Sequence, residues 1–86
     1  MPVRRSKRFN RAFRKLPPHV QAKVLKALRL LDADFRHPSL RARSVQGTPD
    51  IYEGRVDHKY RMTYQRRGDV LLMRNVGAHN DVLGEP

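Results

Sequence analysis

The stretch Ile51-Tyr52-Glu53-Gly54-Arg55-Val56-Asp57-His58-Lys59-Tyr60-Arg61-Met62-Thr63-Tyr64-Gln65 decides how this chain folds. Its side chains alternate, as they must on a strand with one face against a core. Tyr52, Gly54 and Val56 point one way, and Glu53 and Arg55 the other. Tyr60, Met62 and Tyr64 then oppose Arg61, Thr63 and Gln65. A three-residue loop, Asp57-His58-Lys59, makes the two patterns agree. It pairs Val56 with Tyr60, Gly54 with Met62 and Tyr52 with Tyr64 on the core side, and sets Arg55 opposite Arg61 on the other.

Working downstream, Val70 to Val76 reads as a third strand, turned back by a two-residue loop at Arg67-Gly68. That loop pairs Tyr64 with Leu71 and Met62 with Met73, and it puts Arg61 opposite Arg74. Arg55, Arg61 and Arg74 then form a row across one sheet face. Like charges opposite one another destabilise a sheet unless an anion sits among them, and arginine is well suited to phosphate. The competing reading is structural: each arginine bends to an acid of its own, with Glu53 the nearest.

Working upstream, the chain is helical. Ser6 caps a helix over about Lys7 to Lys15, with Phe9, Ala12, Phe13 and Leu16 on one stripe. Pro17 ends it and Pro18 opens a second helix, running to Asp34, because proline suits the first turn. Val20, Val24, Ala27, Leu28, Leu31 and Phe35 recur there at helical intervals. Val3 to Arg5 reads as a short strand and Leu40 to Val45 as another, with a turn over Gln46 to Asp50. The fold class is α+β, a helical hairpin on a small, mainly antiparallel, twisted sheet. The 86 residues allow one domain, spanning 1–86.

Composition narrows the function. There is no cysteine, so disulfides and thiolate metal sites are excluded. No apolar run approaches the roughly 20 residues of a membrane span, and the basic N-terminus lacks the apolar segment of a secretory signal. A cytoplasmic address is expected, with no membrane partner. The net charge is +11, and its placement is uneven. Met1 to Leu31 holds ten cations and no acid, whereas Asp32 to Pro86 holds nine cations and eight acids. Such a field attracts polyanions. There is no glycine-rich phosphate loop and no nucleophile elbow, and the acids are too scattered for a two-metal nuclease. No metal and no cofactor are expected.

The tail Asn75-Val76-Gly77-Ala78-His79-Asn80-Asp81 carries the remaining chemistry. Gly77 reads as a sharp turn that delivers His79 to the end of the strand bearing Arg74. An imidazole there can pass a proton near neutral pH while arginines stabilise a phosphate. His19 and His37 show no ligand spacing, and His58 reaches toward the arginine face only from its loop.

These segments together resemble the RelE/ParE toxin superfamily, in its histidine-bearing, YafQ/RelE-like branch. The resemblance rests on Ser6-Lys7-Arg8-Phe9, Leu16-Pro17-Pro18, Tyr52-Glu53-Gly54-Arg55-Val56, Tyr60-Arg61-Met62-Thr63-Tyr64 and Val76-Gly77-Ala78-His79-Asn80-Asp81. It implies the toxin of a toxin–antitoxin pair, a metal-independent endoribonuclease that cuts mRNA on the ribosome through the ribose 2′-hydroxyl and so blocks translation. It implies Arg61 as the phosphate-stabilising group and His79 as general acid or base. Glu53, His58 and Asp81 are alternatives for a second acid or base. Arg55, Arg74, His58, Lys59 and Arg43 are expected to contact nucleic acid. The basic helices are expected to dock on 16S ribosomal RNA or on an acidic antitoxin. A gyrase-inhibiting toxin and a non-catalytic basic nucleic-acid-binding module are the rival readings.

Overall fold

The computed structural model describes Met1–Pro86. Elements follow in the order β1 (Val3–Arg5), α1 (Lys7–Arg14), α2 (Pro18–Ala33), a short 3-10 turn (Pro38–Leu40), β2 (Arg43–Ser44), β3 (Ile51–Arg55), β4 (Tyr60–Arg67), β5 (Val70–Ala78) and α3 (His79–Gly84). The five strands form one sheet in the order β1-β5-β4-β3-β2. Only β1 runs parallel to its neighbour, with Val3 beside Leu71 and Arg5 beside Met73. The other pairings are antiparallel. No helix is long and apolar enough to cross a membrane.

Helices α1 and α2 cover one face of the sheet. Ser6 caps α1 by accepting a hydrogen bond from the Phe9 N–H at 3.0 Å. Pro18 occupies the first turn of α2, where no N–H is needed. Gln21 Nε2 donates to the Phe13 carbonyl at 3.1 Å and fixes the corner between the two helices. Phe9, Val20, Val24, Ala27, Leu28 and Leu31 meet Met62, Tyr64, Leu71, Met73 and Val76 in one core. This is the inner face that the alternating pattern implied. Burying side chains of this size stabilises the fold by roughly 1.5–3 kcal/mol each.

The register of β3 against β4 is the expected one, with Tyr52 opposite Tyr64, Gly54 opposite Met62 and Arg55 opposite Arg61. Its loop is held by Asp57, whose carboxylate accepts from the N–H groups of Lys59 (2.8 Å) and Tyr60 (2.9 Å). Burial opposes ionisation of Asp57, but those two N–H groups and the Lys23 ammonium outweigh it and hold the pKa at about 2.

Three expectations are corrected. The segment Leu40 to Val45 is not one strand: Leu40 ends the 3-10 turn and enters the core, Arg41 takes a left-handed φ of 46°, and only Arg43–Ser44 pairs with β3. The β4–β5 loop is Gly68-Asp69, because Gly68 supplies the positive φ (61°) that a type II′ loop needs at its first position. This lengthens β4 to Arg67 and moves the register. A bulge then adds a further residue, since Tyr64 faces Met73 whereas Thr63 faces Asn75. Arg74 is the extra residue, and Arg61 faces Gly77 instead. Finally, Gly77 makes no turn. It stays in β5, which runs on to Ala78, and His79 opens α3.

Candidate active site

The outer face of the sheet carries the charged side chains of β3 and β4. Helix α3 and the last residues fold back over one half of it. Val82 is fully buried, and its Cγ2 would lie 3.5 Å from a Cβ placed on Gly77. The Pro86 carbonyl accepts from Thr63 Oγ1 and from Arg74 Nε, both at 3.1 Å. Arg74 Nη1 also donates to Gln65 Oε1 at 3.0 Å. Arg74 is thus committed to the tail and to β4, and the expected row of three arginines does not form.

The uncovered half holds a different cluster. Arg41, Arg43, Glu53, Arg55 and Arg61 line an open cavity of about 220 Å³, with no apolar residue in its wall. Four guanidinium groups surround one carboxylate there. The Glu53 side chain is only 7 % exposed and lies 3.4 Å from Arg43 Nη2 and 3.5 Å from Arg61 Nε. A buried carboxylate needs such partners, since unpaired burial of a charge costs several kcal/mol. Arg61 Nη1 donates to the carbonyls of Asp57 and Tyr60, which fixes the guanidinium beside Glu53. Neither Arg41 nor Arg55 is paired with an acid. The cavity therefore keeps an excess of positive charge that the protein does not neutralise.

The structural alternative, each arginine of the row bending to an acid, holds for Arg61 and fails for Arg55 and Arg74, while Arg43 joins Arg61 at Glu53. Arg41 was not among the sequence candidates. It enters the cavity through its left-handed backbone, a feature that the residue type does not signal.

The other candidates are dispersed. His79 is the first residue of α3, and its N–H donates to the Lys59 carbonyl at 2.9 Å, beyond the Arg61–Gly77 pair. It does not line the arginine cavity. Its Nδ1 is buried without a hydrogen-bond partner. His37 shows the contrast: its Nδ1 accepts from the Ser39 N–H at 3.2 Å and lies 2.7 Å from the Ser39 hydroxyl, a capping role. His58 and Lys59 are exposed in the β3–β4 loop. Asp81 lies in the first turn of α3 and lines a separate groove with Arg8, Arg11 and Lys15. No three His, Cys, Asp or Glu side chains converge on a common point.

An antiparallel sheet with β1 added in parallel, two helices inside and a short C-terminal helix outside is shared with known structures. RelE in the archaeal RelE–RelB complex of Pyrococcus horikoshii superposes with a TM-score of 0.74 at 20% identity, over 90% of this chain and 92% of that one. The chain thus has the fold of the RelE/ParE toxins. YafQ from Escherichia coli gives a TM-score of 0.79 at 13% identity, over 93% and 94% of the two chains. The E. coli RelBE toxin–antitoxin complex gives 0.70 at 25% identity, over 90% and 94%. No family model and no curated protein matches the sequence. The RelE/ParE likeness is thus carried by the architecture, with the arginine cavity on the sheet face that α3 leaves open.

Proposed function

We propose that this protein is the toxin of a toxin–antitoxin pair and that it cleaves mRNA on the ribosome. The observation that carries the reading is the cavity of Arg41, Arg43, Arg55 and Arg61 around Glu53, a concentration of unneutralised guanidinium groups suited to a phosphodiester. The RelE/ParE fold supports it, as do solved relatives named as complexes with antitoxins. The acid-free helical third of the chain suits an acidic antitoxin or the backbone of 16S ribosomal RNA.

In this reading the scissile phosphate enters among the arginines. Arg61 and Arg43 turn part of their hydrogen bonding from Glu53 to the phosphate oxygens. Glu53, released from its partners, takes the proton of the ribose 2′-hydroxyl, whose oxygen attacks the adjacent phosphorus. The P–O5′ bond breaks, leaving a 2′,3′-cyclic phosphate and a 5′-hydroxyl. Arg61 and Arg55 stabilise the charge that gathers on the non-bridging oxygens. His79 opens α3 outside this cavity with its Nδ1 buried, so its role here is to supply the proton to the departing O5′ from Nε2, with the RNA running from the cavity to the start of α3. Glu53 is preferred to Asp81 as base because Asp81 lines another groove.

Induced expression in a bacterium, with growth followed and mRNA 5′ ends mapped, tests this. The wild type is expected to arrest growth and to create new mRNA ends. Arg61→Ala and His79→Ala are expected to do neither while staying folded. Full toxicity in both variants removes the site, and DNA breaks with intact mRNA assign the chain to gyrase inhibition instead.

A further inference from the structure

A second cavity lies on the other side of β2. It has a volume of about 300 Å³ and is lined by Phe35, Tyr52, Tyr64, Arg36, Arg43 and Arg66 among others. Its character differs from that of the arginine cavity. The Tyr52 and Tyr64 rings stack with centroids 5.9 Å apart and 22° between their planes. The Arg36 and Arg66 guanidinium groups lie 5.3 and 5.7 Å from the centre of the Phe35 ring. No acidic residue lines the wall.

Tyr64 carries the argument. It is 1% exposed, and its hydroxyl is buried with no hydrogen-bond partner in the protein. Burial, with Tyr52 adding to it, raises its pKa to about 12, so the hydroxyl keeps its proton and remains a donor. An unsatisfied buried donor costs about 1–3 kcal/mol. The fold bears that cost at a residue it makes room for: a Cβ on Gly54 would come within 3.1 Å of Tyr64 Cε1. An acceptor brought by a ligand would recover it.

Arg43 lines both cavities. It sits on β2, the two-residue edge strand, with the arginine cavity on the outer face and the aromatic cavity on the face of Tyr52 and Tyr64, so a ligand reaches both around that edge. A ligand with an anion at one end and a flat ring bearing acceptors at the other matches the pair. We infer that the aromatic cavity is a nucleobase subsite, taking the base of a nucleotide whose phosphate lies across Arg43 in the arginine cavity. Aromatic rings and guanidinium planes are the usual partners of unstacked bases. The Tyr64 hydroxyl donates to a ring nitrogen or carbonyl of the base. The inference rests on the arginine cavity being a phosphate site, and it adds a means of choosing among sequences.

The test titrates the full chain with the four ribonucleoside 5′-monophosphates, with inorganic phosphate and with an acidic peptide containing apolar residues, following Tyr52, Tyr64 and arginine side-chain resonances by NMR. Nucleotides are expected to shift both tyrosine rings and the cavity arginines, and inorganic phosphate only the arginines. Tyr64→Phe, which deletes the unpartnered hydroxyl and keeps the ring, is expected to weaken nucleotide binding about tenfold and to leave phosphate binding unchanged. Its melting temperature should not fall. Nucleotides that move the arginines but not the tyrosines overturn the subsite and leave the phosphate site standing. Unchanged nucleotide affinity in Tyr64→Phe also overturns it, as does a tyrosine response to the peptide alone. Silence of the arginines toward nucleotides and phosphate overturns the phosphate site and the subsite together.

Discussion

The two faces of the sheet solve opposite problems. The inner face buries Phe9, Leu31, Met62 and Met73 completely, so its free energy comes from area removed from water and from close packing. The outer face buries Glu53 and Thr63 and leaves guanidinium groups crowded near them. Arg55 directly opposite Arg61 is a poor pair for stability. The inner face thus supplies the stability that lets the outer face hold charges in an unfavourable arrangement. Changes inside should lower stability and reduce function only through it. Changes at the arginine cavity should do the reverse.

The largest effect is expected inside. Phe9 is fully buried where α1 meets the sheet. Phe9→Ala should lower the unfolding free energy by about 3–5 kcal/mol. Urea unfolding followed by circular dichroism measures it, and the midpoint should move far more than in any cavity variant. A loss below 1 kcal/mol would show that the helices do not close over the sheet as described.

The reciprocal test is Arg61→Ala. Here RNA cleavage should fall by about 10²–10³-fold, with a smaller loss of stability than in Phe9→Ala because Arg43 still pairs with Glu53. Arg74→Ala separates the corrected register from the expected one. Arg74 binds the Pro86 carbonyl and Gln65, so its loss should loosen the tail and affect cleavage much less than Arg61→Ala does. Equal losses in the two variants would mean that Arg74 works in the cavity after all.

Arg74 also marks the limit of what could be read from sequence. The β3–β4 register was legible because alternation and a short loop fix it together, and a one-residue slip would turn Tyr52 and Tyr64 outward. Alternation alone does not locate a bulge. The place of Arg74 follows from the loop at Gly68-Asp69, from a separate bulge, and from its side-chain contact with Pro86, none of which the strand pattern signals. The same holds for Arg41, whose place in the cavity follows from a left-handed backbone after a 3-10 turn. Glu53, Arg55 and Arg61, presented by regular strands, lie together on the face where alternation places them. Those presented by irregular backbone were missed or misplaced.

Gly54→Ala probes the place where the two faces constrain each other. Gly54 lies between Glu53 and Arg55, and a Cβ there would meet Met62 Cε and Tyr64 Cε1 at 3.1 Å. The added methyl shifts Met62 Cε and Tyr64 or pushes β3 outward, at a cost of about 1–3 kcal/mol. Cleavage should fall as well, because any outward shift moves both flanking cavity residues. A variant that loses stability but keeps full cleavage would show that the strain is absorbed entirely by the flexible end of Met62.

The smallest effect concerns the loop that joins the faces. Asp57 anchors the β3–β4 turn by accepting from Lys59 and Tyr60 and by pairing with Lys23 of α2 at 3.1 Å. Its carboxyl titrates near 3.8 in an unfolded chain and near 2 in the folded one. A depressed folded pKa means that the unfolded state takes up the proton first. The contribution of Asp57 is therefore complete above about pH 4 and disappears as pH falls through 2. Its size is on the order of 1–2 kcal/mol, part of which salt should screen because Lys23 is half exposed. Asp57→Asn keeps the shape and removes the titration. Its stability deficit against the wild type should be steady from pH 5 to 7 and shrink between pH 4 and 2. A deficit that stays constant across that range would mean that the turn is held by its backbone alone, and that the ionised carboxylate does not link α2 to the strand carrying Arg61.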